Sequence, residues 1–266
     1  MEMKYVLTNE KKIVDNTTLF RIMADRDIPE IHIKKGELGG FVESTYNLDQ
    51  EGSCWLFDDS CAYEKGRLRG DALAYNHSRI YGKAIVSEKA RLRDFVKIYG
   101  KAQVYSRAEI MDMSEVFDNA RVGGSSSIRK LSKIYERASV HGYPTVTDNA
   151  EIFGKACIEN GHPYIRSMSK IYGNVRITED LHFCISADIK SNGDYFVLQN
   201  TGPNLKNTLT AYRGYIGDRK EIFIAKGYSF CGNVDEFEKE INIRYIGKYR
   251  KAYTALLDFI KINFEK

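Results

Sequence analysis

A chain of 266 residues with 40 basic and 36 acidic side chains carries a formal charge of only +4. Nucleic-acid binding would therefore need a local concentration of charge, and no run is long enough to supply one. The apolar fraction, 43%, supports a core of ordinary size, and no apolar stretch reaches the length of a signal peptide or membrane span, which sets the expectation of a cytoplasmic, non-membrane protein.

In chain order, Met3 to Ile13 and Thr18 to Ala24 alternate like short strands and make residues 1–52 a candidate N-terminal β cap. Lys34-Lys35-Gly36-Glu37-Leu38-Gly39-Gly40-Phe41 reads as a glycine-rich turn leading onward. Trp55, the only tryptophan, stands at the junction and is expected to pack over the first coil.

Residues 53–190 repeat. Stepping by six from Leu68 meets Ala74, Ile80, Val86, Leu92, Ile98, Val104, Ile110, Val116, Val122, Ile128, Ile134, Val140, Val146, Ile152 and Ile158. Two residues earlier there is usually a small one, such as Ala72, Ser78, Ala84, Ala90 or Ala102. The aliphatic side chain fills an interior, and the small residue lets the backbone turn a corner without a clash. The residue after every third aliphatic position is aromatic: Tyr81, Tyr99, Phe117, Tyr135 and Phe153, with Tyr63 heading the column and Tyr172 rejoining it. Eighteen residues thus make one three-sided turn, and roughly seven turns should stack at about 4.8 Å each. Gly161-His162-Pro163 supplies turn chemistry for a one-residue slip between Glu159 and Ile165.

Residues 191–266 change character and read as a small α+β unit. Asp194 to Gln199, Thr208 to Arg213 and Glu221 to Phe230 alternate like antiparallel strands, and Asn233 with Glu236 fits the capping box of a helix through Ile241. A second helix carries Tyr245, Tyr249, Tyr253, Leu256 and Ile260 on one face, a stripe that needs a partner. The five cysteines, Cys54, Cys61, Cys157, Cys184 and Cys231, are an odd set without Cys-x-x-Cys spacing. They read as reduced thiols rather than a disulfide framework or a zinc site.

The six-residue aliphatic-then-small pattern resembles that of hexapeptide-repeat proteins, which implies a left-handed parallel β-helix even though right-handed crossovers are the general default. Leu38-Gly39-Gly40-Phe41-Val42-Glu43, Asn47-Leu48, Gln50-Glu51-Gly52, Cys54-Trp55 and Phe57-Asp58-Asp59 resemble YdcK-like hexapeptide-repeat proteins of bacterial genomes and prophages. Asn207-Thr208-Leu209-Thr210 and the stretch from Tyr228 to Phe237 resemble the tail module of phage-encoded members. The resemblance covers nearly the whole chain. It implies a mainly β fold with a small C-terminal α+β domain and an acyltransferase label that rests on the repeat alone, because no catalytic motif accompanies it.

Stacked outward columns then decide which surfaces look used. The aromatic column Tyr81, Tyr99, Phe117, Tyr135 and Phe153 is bordered by Arg79, Lys97, Glu115, Lys133, Glu151 and Lys170, and beyond them by the corner residues Phe95, Met113 and Leu131, with Met168 beyond Asn149. Such an apolar-margined strip is expected to be covered, by the C-terminal helix or by another subunit. Otherwise its rings could stack a nucleotide, with Lys83, Lys101 and Lys155 near the phosphate. A second column runs Ser87, Tyr105, Gly123, His141, Glu159, and Gly123-Gly124 should leave a notch between Tyr105 and His141. His141 is the only candidate for a catalytic general base.

Regular coils, with no extended loop to wall a pantetheine site, favour a non-enzymatic phage- or prophage-type β-helix that binds or scaffolds as an oligomer. A homotrimer is favoured, with a protein or a small nucleotide as partner and no cofactor or metal. The alternatives are an acyltransferase using acetyl-CoA or another acyl-CoA, and a protein that sequesters a small nucleotide between subunits.

Overall fold

Each six-residue unit folds into a two-residue strand and a four-residue corner. In the rung Lys97–Ile98 the lysine points out and the isoleucine in, and Tyr99-Gly100-Lys101-Ala102 makes the turn. The second corner residue takes a left-handed backbone, as at Gly82, Gly100, Asp118, Glu136, Gly154 and Gly173. That explains why Gly, Asn and Asp recur there. The two-residue repeat of side-chain direction then sends every sixth aliphatic residue inward. From Ile80 to Ile177 those residues are fully buried.

The computed structural model describes residues 3–201 and 207–264. Its coil is a parallel β-helix with three sheets. The first face runs from Leu38–Val42 through Cys61–Ala62 and onward to Asp188–Ile189; the second runs from Trp55–Leu56 to His182–Phe183; the third runs from Arg67–Leu68 to Arg176–Ile177. Rungs pair in register with the coils on either side, Lys97 with Arg79 and Glu115, for example. Because Phe41 and Val42 already pair with Cys61 and Ala62, the coil begins earlier than the sequence pattern indicated and makes about eight turns instead of seven. The expected slip is present: Thr145 pairs with Tyr164, nineteen residues on, where neighbouring rungs are eighteen apart.

The open rims are closed at both ends, as an unpaired sheet edge requires. At the start, the hairpin Tyr5–Val14 and Thr17–Ala24 extends the first face antiparallel through Leu38–Val42. Lys4, only 1% exposed, donates from Nζ to the carbonyls of Glu51 and Cys54 at 3.2 and 3.0 Å. Asn47 donates to the carbonyls of Glu64 and Gly66. Trp55 is fully buried against Tyr5, as its position suggested. At the far end, the Tyr212 hydroxyl accepts from the N–H groups of Cys184 and Ile185 at 3.1 and 3.0 Å. Asn192 exchanges hydrogen bonds with the backbone of Arg176.

The C-terminal unit is a four-stranded antiparallel sheet, Tyr195–Thr201, Asn207–Ile216, Arg219–Lys226 and Phe230–Asn233, followed by α1 (Val234–Arg244) and α2 (Gly247–Phe264). The Asn233–Glu236 capping box is formed. Helix α2 buries Tyr253, Leu257, Ile260 and Phe264 against Leu209, Ala211, Ile224 and Phe237. Two expectations are corrected here. The buried stripe is rotated, leaving Leu256 only partly covered, and it is spent on the C-terminal sheet, so α2 does not cover the aromatic strip. The cysteines are not all thiols: Cys184 and Cys231 form a disulfide that ties the last coil to the C-terminal sheet. Cys54, Cys61 and Cys157 remain free.

Candidate binding face and the His141 column

The aromatic column forms one continuous stack. From Tyr63 through Tyr81, Tyr99, Phe117, Tyr135 and Phe153 to Tyr172, successive ring centroids lie 4.8 to 5.2 Å apart and within 8° of parallel. The coil spacing sets this distance, which is why equivalent rings meet face to face. From Tyr81 to Phe153 both faces of each ring are thereby occupied and the edges look outward. Three of the hydroxyls are committed too: Tyr99 donates to Glu115 at 2.9 Å, Tyr135 to Glu151 at 2.8 Å and Tyr172 to Asp188 at 3.1 Å. Burial first, and those carboxylates second, raise the three phenols above their ordinary value.

Beside the stack runs the charged column, in which Lys97, Glu115, Lys133, Glu151, Lys170 and Asp188 alternate strictly in sign, one rung apart. On its other margin Phe95, Met113, Leu131 and Met168 stand 57, 55, 46 and 63% exposed. This ladder, interrupted by the exposed Asn149, leaves apolar surface uncovered on the coil. His77 stacks on Phe95 at 4.9 Å and extends it upward. The face is framed at both ends. Asp15, in the N-terminal hairpin turn, accepts from the Tyr63 hydroxyl at 2.7 Å. At the other end Tyr215 and Gly217 of the C-terminal sheet overhang Phe153, Met168, Lys170 and Tyr172, enclosing a cavity of about 570 Å³.

The second predicted site is assembled differently from the sequence expectation. Gly123 does lie between Tyr105 and His141, but no notch is left. The Tyr105 ring leans across the glycine, and its hydroxyl meets the His141 ring at 3.2 Å, two coils away. A Cβ on Gly123 would fall 2.7 Å from the Tyr105 ring and 3.0 Å from His141 Nδ1. The glycine exists to admit the tyrosine. Gly124 turns the corner with φ of 65°. Burial holds the His141 imidazole toward its neutral form, against the opposing pull of Glu159. Glu159 is itself paired with Arg176. The arrangement fixes a neutral imidazole, but its ring already has a phenol partner.

The lysines proposed to meet phosphate, Lys83, Lys101 and Lys155, are exposed corner residues. His162 pairs with Asp180 at 3.4 Å. Among the described residues no group of three His, Cys, Asp or Glu side chains could hold a metal ion, and no helix is long and apolar enough to cross a membrane. Sequence reasoning missed Lys4, Asn192, Tyr212 and the Cys184–Cys231 bond. None of these carries a periodic signal.

The fold and this face define a capped parallel β-helix with one aromatic, charge-striped side. No family model matches the chain, and no curated protein matches it.

Proposed function

We propose that the chain is a non-enzymatic β-helix of the phage or prophage type, related to the YdcK-like hexapeptide-repeat proteins, that works as an oligomer joined through its aromatic face. The observation that carries the reading is the exposed ladder Phe95, Met113, Leu131 and Met168, which runs beside a column of alternating charge and which the chain's own helices leave bare. An exposed apolar ladder of this kind, broken at Asn149, fits an interface. The alternating charges give a neighbouring copy a register to read. Trimers are the assembly favoured by analogy with hexapeptide proteins. Nucleotide stacking is disfavoured, because the ring faces that would hold a base are already filled by one another.

The test is light scattering on a Met113→Lys, Leu131→Lys double variant, whose changes fall on exposed positions and leave the fold intact by circular dichroism. Dissociation to a single chain supports the reading; an unchanged oligomer overturns it.

A second reading, acyl transfer from an acyl-CoA with His141 as general base, draws on one observation, the neutral imidazole that burial secures. It predicts a thermal shift with acetyl-CoA and loss of turnover in His141→Ala.

A further inference from the structure

A second cavity, of about 230 Å³, opens where the last coils of the second face meet the C-terminal sheet. Tyr164 and His182, on successive rungs of that face, form one wall. Tyr228, in the turn between the last two C-terminal strands and 84% exposed, packs onto that wall. Its ring centroid lies 4.3 Å from that of His182 and 5.6 Å from that of Tyr164, edge to face in both cases. The Cys184–Cys231 bond closes the cavity and ties that wall to the C-terminal sheet.

Arg166 completes the lining. Among the described residues no acceptor reaches its guanidinium; the Nε is buried without a hydrogen-bond partner, and the group rests over the Tyr164 ring with Cζ 5.9 Å from the centroid. Arg129, in the same column two coils earlier, shares the unpartnered Nε. What distinguishes Arg166 is the cavity beside it, whose lining contains no Asp or Glu. Asp148 feels the charge of Arg166, but it stands outside that lining and is held by Lys130 at 2.6 Å. A half-buried cation with no acceptor is costly unless something supplies one. The planar fork of a guanidinium matches a carboxylate or phosphate with two parallel hydrogen bonds. Three aromatic rings around it suit a flat body. The volume lies below the roughly 300–1,000 Å³ usual for drug-sized ligands, so the occupant must be small.

We propose that this junction cavity binds a small ring-bearing oxyanion, its phosphate or carboxylate on Arg166 and its ring packed against the joined Tyr228–His182–Tyr164 cluster. The site is separate from the aromatic face and does not depend on how the chain assembles.

Calorimetric titration of the full-length protein with phenyl phosphate, benzoate and inorganic phosphate tests it, with His182 ring resonances read in parallel. At least one ring-bearing probe should saturate and shift the His182 signals, and the stronger of the two identifies the anion. Arg166→Gln should weaken it about tenfold or more, Arg166→Lys should recover part of that loss, and Arg129→Gln should leave it unchanged. Tyr228→Ala, at an exposed turn, tests the ring wall without threatening the fold and should weaken the ring-bearing probe while sparing inorganic phosphate. Absence of saturation by both ring-bearing probes, equal affinity in Arg166→Gln, or inorganic phosphate binding as tightly as phenyl phosphate would overturn the proposal.

Discussion

The coil and the C-terminal unit stabilise themselves by different means. In the coil the inner rungs pair with their neighbours above and below, the interior is a column of fully buried aliphatic residues, and contacts such as that of Tyr105 with His141 reach no more than two coils. The C-terminal unit has a conventional two-layer core, sheet against helices, and leaves Ile243, Ile246 and Ile262 exposed. Its other sheet face closes the coil's core with Tyr195, Tyr212, Phe223 and Ala225, and Thr210 accepting from the His182 N–H and the Cys184–Cys231 bond add to that attachment. A repeat stack distributes its stability among neighbouring repeats, whereas the appended unit meets the coil only at its last turn and stands on a core of its own.

The contrast can be broken first at the disulfide. It closes a 47-residue separation, for which chain entropy gives about 4 kcal/mol. Reduction should lower the melting of the C-terminal unit and leave the coil transition in place, two events resolved by calorimetry. One unchanged transition would mean that the bond does not tether the two. The next largest effect belongs inside the coil. Ile134→Ala removes a fully buried side chain and should cost about 3 kcal/mol in urea denaturation, while Ile262→Ala, exposed on α2, should stay within about 0.5 kcal/mol. Comparable losses at the two positions would erase the distinction.

Alkaline titration sharpens it further. Tyr81 is pushed up to about 12 by burial first and by the charge of Glu115 next, and Tyr99 and Tyr135 are raised by burial and then by their carboxylate partners. Folded values above the unfolded 10 mean that this stability is complete below pH 10 and is lost as pH rises through the folded values. The coil should therefore weaken from about pH 10 to 12. Tyr99→Phe with Tyr135→Phe should flatten that loss, because Phe117 and Phe153 already occupy the same stack. Lys4 opposes the trend: its value is lowered by burial, so its cost is full below the folded value and is relieved as pH climbs toward the unfolded 10.5. The smallest effect is at His141. Tyr105→Phe removes a hydrogen bond worth about 1 kcal/mol, and His141, held below 6.5 by burial, should take up its proton later than an exposed histidine in an NMR titration. A midpoint at or above 6.5 would contradict that placement.

Legibility in the sequence divides along the same line. Ile80 to Ile158, the aromatic column and the slip at Gly161 announce themselves because a coil contacts only its neighbours, so structure repeats wherever sequence repeats. The Asn233–Glu236 cap was legible for the same reason, being local. The rim contacts of Lys4 and Asn47, and of Asn192 and Tyr212, were not, since each joins residues that no period relates; the Cys184–Cys231 pairing is equally invisible to spacing. At Gly123 the missing side chain was legible but its purpose was not, because the size of Tyr105 fills the space that the glycine opens. The cavity at His182 exists only where the C-terminal turn folds over it, a contact between residues that no period relates.

The central claim, that the bare ladder beside the aromatic stack joins copies of this chain, is tested most directly by the native mass of the wild-type protein. The account predicts a multiple of 30.5 kDa, with the trimer favoured; a particle of 30.5 kDa at micromolar concentration would contradict it.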